Sequence, residues 1–179
     1  LAPTNCEEYI SMLDWSINQD KIPVAIRIPW TKVYHVYKEF RNEYFDTKYE
    51  VTRSGSKVAI IALGSFYQLG EEIVDILANH GIKATLINPM FISGIDNETL
   101  DSLKNTHELV VTLEDGILNG GFGAKIAQYY GLSHMKVMNK GFSMNIPNRF
   151  APEKLMIDNR LLPSQVVQDI LANVRGEKA

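Results

Sequence analysis

Apolar positions along the chain follow two alternating periods. Short, nearly unbroken apolar runs at 57–63 (KVAIIAL), 83–89 (KATLINP), 107–115 (HELVVTLED) and 135–142 (MKVMNKGF) predict buried strands. Between them, apolar residues recur at three- and four-residue spacing. Over 67–81, Ile73, Val74, Ile76 and Leu77 share an inward face, and His80 with Gly81 forms the expected helix stop. Asp96 is the expected cap of a helix over 97–105, with Thr99 completing only part of a capping box. Further helices are predicted over 122–130, ending at Gly131, and over 163–176, opened by Pro163. Ser65, just after the first of these strands, is the expected cap of the helix that follows it.

The N-terminal part is less regular. A helix capped by Thr4 or Asn5 is predicted first, with Glu7 and Glu8 in its first turn and Tyr9, Met12, Leu13 and Ile17 at helical spacing. IPVAIRIP (22–29) then predicts a short strand between two prolines. In 34–50, Tyr34, Tyr37, Phe40 and Tyr44 are able to share a helix face, while Lys38, Arg41 and Lys48 are offset by Glu39, Glu43, Asp46 and Glu50. Such mixed charge favours a linker packing its aromatics on a neighbour over a nucleic-acid platform. The expected layout is an α–β remnant (1–33), a linker (34–56) and one complete α/β domain (57–179). That domain is predicted to be a three-layer α/β/α fold on a mainly parallel sheet of about five strands.

Composition narrows the function classes. Hydrophobic content of 45% with 22% charged residues predicts a packed core. A net charge of −3 gives no footprint for generic binding of nucleic acid or an anionic membrane, so neither partner is expected. A lone cysteine, Cys6, excludes an internal disulfide and a cysteine metal cage, and fits a cytoplasmic setting. The first residues form no signal peptide, and a chain that starts at Leu1 without methionine is expected to be a fragment or a processed product.

The stretch VVTLEDGILNGGFGAKI (110–126) invites three chemical interpretations. A phosphate loop would need G-x-G-x-x-G after the first strand or a terminal G-K-[ST], and Gly116, Gly120, Gly121 and Gly123 offer neither. A shared-proton acid pair is disfavoured because Glu114 and Asp115, adjacent on a strand, point to opposite faces. Glycines that permit a tight turn and a close helix approach remain the simplest explanation. Elsewhere, the four histidines lack metal-ligand spacing, and G-x-S-x-G is absent around Ser65. No catalytic, cofactor or metal residue is assigned in the chain.

The same stretch resembles the C-terminal domain of thiamine-diphosphate enzymes of the transketolase superfamily, the deoxyxylulose-phosphate synthases most of all. Their pattern S-H-E-L-L-V-T-V-E-E-N-x-x-x-G-G-F-G-S is matched at His107, Glu108, Val111, Thr112, Glu114, Gly120, Gly121, Phe122 and Gly123. KVAIIALGS and GIKATLINPMFISGIDNETL are similar to further segments of that domain. APTNCEEYISML and PVAIRIP are similar to the end of the preceding pyrimidine-binding domain. The resemblance implies that Glu114, Gly120, Gly121 and Gly123 form a structural loop, and that thiamine diphosphate and Mg2+ are held by other parts of a larger parent enzyme. It also implies a homodimer and partnership with the parent's remaining domains. Arg27 is implied as a substrate contact; an arginine paired with a surface acid is the other reading of it. The family's second arginine is replaced by Trp30, and two more cations by Met90 and Ser93. Indole cannot supply a bidentate charged clamp, so an acceptor other than the usual phosphorylated triose is expected. A split enzyme similar to a 2-oxo-acid dehydrogenase beta subunit, and a non-catalytic α/β interaction module, are the alternatives.

Overall fold

The computed structural model describes residues 1–28, 34–143 and 151–175; Trp30 lies outside them. A five-stranded sheet organises the chain: β1 (Glu50–Arg53), β2 (Lys57–Ala62), β3 (Thr85–Asn88), β4 (His107–Ile117) and β5 (Lys136–Phe142). Their spatial order is β1-β3-β2-β4-β5, with β1 antiparallel to β3 and every other pairing parallel. The helices are α1 (Cys6–Ile17), α2 (Tyr67–Asn79), α3 (Asn97–Leu103), α4 (Phe122–Tyr130), α5 (Pro152–Asp158) and α6 (Pro163–Arg175), with a 3-10 turn at Gly64–Phe66.

Strand periodicity sorts the core into two layers. On β2, Val58, Ile60 and Ala62 face α2 and α6, meeting Ile73, Leu77, Val166 and Ile170. Ala59 and Ile61 face the other way, toward Leu100 and Leu103 of α3 and Phe122, Ile126 and Tyr130 of α4. A strand buried on both faces reads as a continuous apolar run, which explains KVAIIA. The predicted three-layer α/β architecture is the one observed, and Asp96 caps α3 by accepting from the Thr99 amide.

Several local expectations are corrected. Residues 22–28 form no strand: a strand needs a ladder, and among the described residues this segment exchanges backbone-to-backbone hydrogen bonds only with Leu1, at Ala25 and Arg27. Residues 34–49 form no helix, and the last part of the stretch expected to be a linker also supplies β1, which completes the free edge of β3. Ser65 does not cap α2; it sits in the 3-10 turn and its hydroxyl is engaged elsewhere. The short α5 buries none of its residues, so it left no apolar period to find. In α1 the inward residues are Glu8, Met12 and Trp15, while Leu13 and Ile17 are exposed.

Glu8 fastens α1 to the sheet. Its Oε2 accepts from the Thr4 amide (2.7 Å) and hydroxyl (2.8 Å), and its Oε1 accepts from the Asn88 amide at the end of β3 (2.9 Å). Burial raises its pKa, and the Thr4 and Asn88 donors pull the other way. Asn88 cannot turn its amide over, because its oxygen already accepts from the Met90 amide at 3.1 Å. Glu8→Gln therefore sets a donor against a donor. It is expected to destabilise the chain by about 1–3 kcal/mol and to speed proteolysis within the N-terminal segment, a cleavage rate measurable against wild type.

His107 matches the resembled motif, yet it starts β4 at the end of the sheet away from the glycine cluster. Its Nε2 lies 2.8 Å from the Thr85 hydroxyl, and burial lowers its pKa. Its surroundings are those of a packed, neutral histidine.

Candidate functional site

The candidate site lies where β4 leaves the sheet, at the carboxyl ends of the parallel strands, the usual location of ligand sites in open α/β folds. Glu114 is only 3% exposed. Its Oε2 accepts from the Phe122 amide at 2.8 Å and its Oε1 from the Gly123 amide at 2.9 Å. These are the first amides of α4, which lack partners inside the helix and carry the positive end of its dipole. The anion position that a phosphate loop would offer is thus filled by the protein's own carboxylate.

The glycines make that contact possible. Gly120 turns the chain with φ +76°, a region costly for other residues. Gly121 caps α4, and a Cβ there would meet Glu114 Oε2 and the Ile117 carbonyl at 2.5 Å. A Cβ on Gly123 would meet Thr112 Oγ1 at 2.4 Å and the Asn139 amide at 2.8 Å, so α4 lies directly on β4 and β5.

Asp115 faces away from Glu114. Its Oδ2 accepts from the Ser65 hydroxyl at 2.6 Å, and its Oδ1 lies 2.8 Å from Arg27 Nη2. The same Nη2 donates to the Asp115 backbone oxygen at 2.8 Å. The adjacent acids therefore serve separate partners on opposite sides of the strand. Arg27, 42% exposed at its side chain, is ion-paired and also lines a groove of about 690 Å3 walled by Trp15, Ile26, Tyr44, Phe91 and Lys125. Lys125 Nζ donates to the Ile92 carbonyl at 2.7 Å.

From the sequence alone, Asp115 and Ser65 are weighed and neither is assigned to a site, and Lys125 is not singled out. The available signal was position alone, an acid near the end of one parallel strand and a hydroxyl just after its neighbour. Asp115 spends its oxygens on Ser65 and Arg27, and no histidine joins them, so the group is no hydrolase triad. Among the described residues, no group of three or more His, Cys, Asp or Glu is placed to hold a metal ion. A diphosphate at the N-terminus of α4 would have to displace Glu114, so these residues do not fit thiamine diphosphate.

Comparisons with known proteins agree on one family. Residues 47–157 match the model of the transketolase C-terminal domain. The chain is 31% identical to 1-deoxy-D-xylulose-5-phosphate synthase of Lachnoclostridium phytofermentans, over 98% of this chain and 28% of that protein. With the synthase of Clostridium botulinum it shares 37% identity over 72% of this chain and 21% of that protein. The chain thus spans less than a third of the length of these curated relatives. Among solved structures, a split-gene transketolase described as an inactive beta4 tetramer superposes with a TM-score of 0.75 at 21% identity, covering 99% of this chain and 57% of that one, a likeness of fold.

Proposed function

Because the chain belongs to the transketolase C-terminal domain family, we propose that it is the C-terminal part of a thiamine-diphosphate-dependent transferase similar to 1-deoxy-D-xylulose-5-phosphate synthase. It packs against the remaining domains of the parent and supplies an edge of the substrate site; thiamine diphosphate and Mg2+ are bound elsewhere in the parent. One observation carries this assignment. Arg27, from the segment similar to the end of the pyrimidine-binding domain, is ion-paired to Asp115 at the exit of β4 and lines the adjoining groove. Substrate and domain boundary meet there.

The division into a remnant (1–33), a linker (34–56) whose last residues lend β1 to the sheet, and a C-terminal domain (57–179) belongs to the same proposal, as do a homodimeric parent and a cytoplasmic setting. No helix among the described residues is long and apolar enough to cross a membrane. The segment 22–28, whose backbone-to-backbone hydrogen bonds among the described residues go to Leu1, and the apolar wall of the groove are where the rest of the pyrimidine-binding domain seats.

Acceptor recognition runs through one family arginine rather than two. Met90 is 2% exposed and apolar, and Ser93 lines the groove where the family has lysine. The acceptor is therefore not the usual phosphorylated triose. The test is steady-state kinetics of the native gene product, with pyruvate as donor and acceptor aldehydes in charged and uncharged pairs: glyceraldehyde 3-phosphate with glyceraldehyde, glyoxylate with acetaldehyde. Expected are thiamine-dependent turnover, a subunit several times heavier than 20.2 kDa, preference for one charged member, and poor use of glyceraldehyde 3-phosphate. Normal turnover of that triose overturns the acceptor assignment; a native product of 20.2 kDa without thiamine-dependent turnover overturns the function.

A further inference from the structure

The structure assigns Asp115, held by Ser65, as the positioning residue for Arg27, fixing its guanidinium at the groove so that the unengaged donors meet the substrate's anionic group. This rests on Arg27 being a substrate contact, as proposed above.

The geometry is specific about which donors remain. A guanidinium carries five N–H donors in a rigid fork. Nη2 is committed to Asp115 twice, to the backbone oxygen and to Oδ1, both at 2.8 Å. Nε and Nη1 make no hydrogen bond to the protein among the described residues. Nη1 lies over Gly116, 3.9 Å from where a Cβ would stand, so that glycine leaves room for the guanidinium.

The anchor itself is built to stay still. The backbone oxygen belongs to β4, a strand buried on both faces from Leu109 through Glu114. Oδ2 accepts from the Ser65 hydroxyl at 2.6 Å, and Ser65 sits in the 3-10 turn that follows β2, the parallel neighbour of β4. Two adjacent strand ends therefore hold one carboxylate, and the carboxylate holds one arginine. An arginine already fixed loses little rotamer freedom when it takes up an anion.

Asp115 also offsets the charge of Arg27, and this makes the direction of a mutant effect decisive. Removing a mere counter-charge would tighten anion binding, whereas removing a positioner weakens it. The measurement is kcat/KM of the full-length enzyme for the two aldehyde pairs above, expressed as the ratio of charged to uncharged acceptor. Asp115→Asn is expected to lower that ratio by about three- to tenfold, the range for freeing one long side chain, through the KM of the charged acceptor and with kcat nearly unchanged. Ser65→Ala should move it the same way by less, which keeps the test open if the Asp115 variant folds poorly. In an Arg27→Ala background, Asp115→Asn should lower the ratio no further.

A ratio unchanged or raised in Asp115→Asn overturns the assignment. So does an equal loss with both members of a pair, which would mark a purely structural tether. A wild-type enzyme that fails to distinguish charged from uncharged acceptors refutes the role of Arg27 instead, a result separable from one in which wild type discriminates and Asp115→Asn still does.

Discussion

Glu114→Ala is expected to lower the unfolding free energy of the chain by roughly 3–5 kcal/mol, the largest loss of any single change near the glycine loop. The carboxylate accepts from two buried amides, at 2.8 and 2.9 Å, and neither amide has another acceptor among the described residues. Hydrogen bonds to charged groups contribute about 1.5–3 kcal/mol each, and the helix dipole adds to them. Against this stands the relief of no longer burying a charge, which keeps the sum below the gross figure. Glu114→Gln should fall between, since one oxygen survives while the amide nitrogen meets a second donor. Urea unfolding of the three proteins checks the order, and a loss under about 1 kcal/mol in Glu114→Ala would mean that water replaces the carboxylate without cost.

Gly123→Ala is the second. Alanine improves helix propensity by about 1 kcal/mol, so an exposed site would gain. Here the new methyl would stand 2.4 Å from Thr112 Oγ1 and 2.8 Å from the Asn139 amide. Thr112 is fully buried and β-branched, with little rotamer freedom to yield. Overpacking should win, for a net loss of about 1–2 kcal/mol. Because α4 would be lifted from β4, the amides of Phe122 and Gly123 should also withdraw from Glu114, and their hydrogen exchange should quicken. Unchanged exchange with unchanged stability would refute the close approach.

What the sequence displayed well were elements whose pattern matches their burial. The run KVAIIA is a strand covered on both sides, and the Ile73–Val74–Leu77 set is the buried face of α2. Elements built by context stayed hidden. β1 is EVTR, a polar segment that becomes a strand only because β3 offers an open edge. Residues 22–28 carry the right apolar pattern and lack a ladder to join. The site divides in the same way. That Glu114 and Asp115 point apart follows from strand geometry alone. That one stabilises a helix terminus while the other meets Arg27, 88 positions earlier in the chain, requires the fold. Ser65 departs from the expected capping role because a hydroxyl before a helix normally serves the helix, and here a carboxylate on the neighbouring strand lies at 2.6 Å.

The sheet's two rims differ from its centre in a way that bears on association. β1 is four residues long and carries Glu50 and Arg53; β5 places Lys136 and Lys140 within its seven. Lys140 is ion-paired to Asp169 and Lys136 donates to the Asn173 carbonyl, both on α6. A foreign strand zipping onto either rim would have to bury these charges or detach them from their partners. Short, charged rims of this kind resist strand addition and the fibrillar aggregation that follows from it. Open-ended β-polymerisation is thereby disfavoured at both rims.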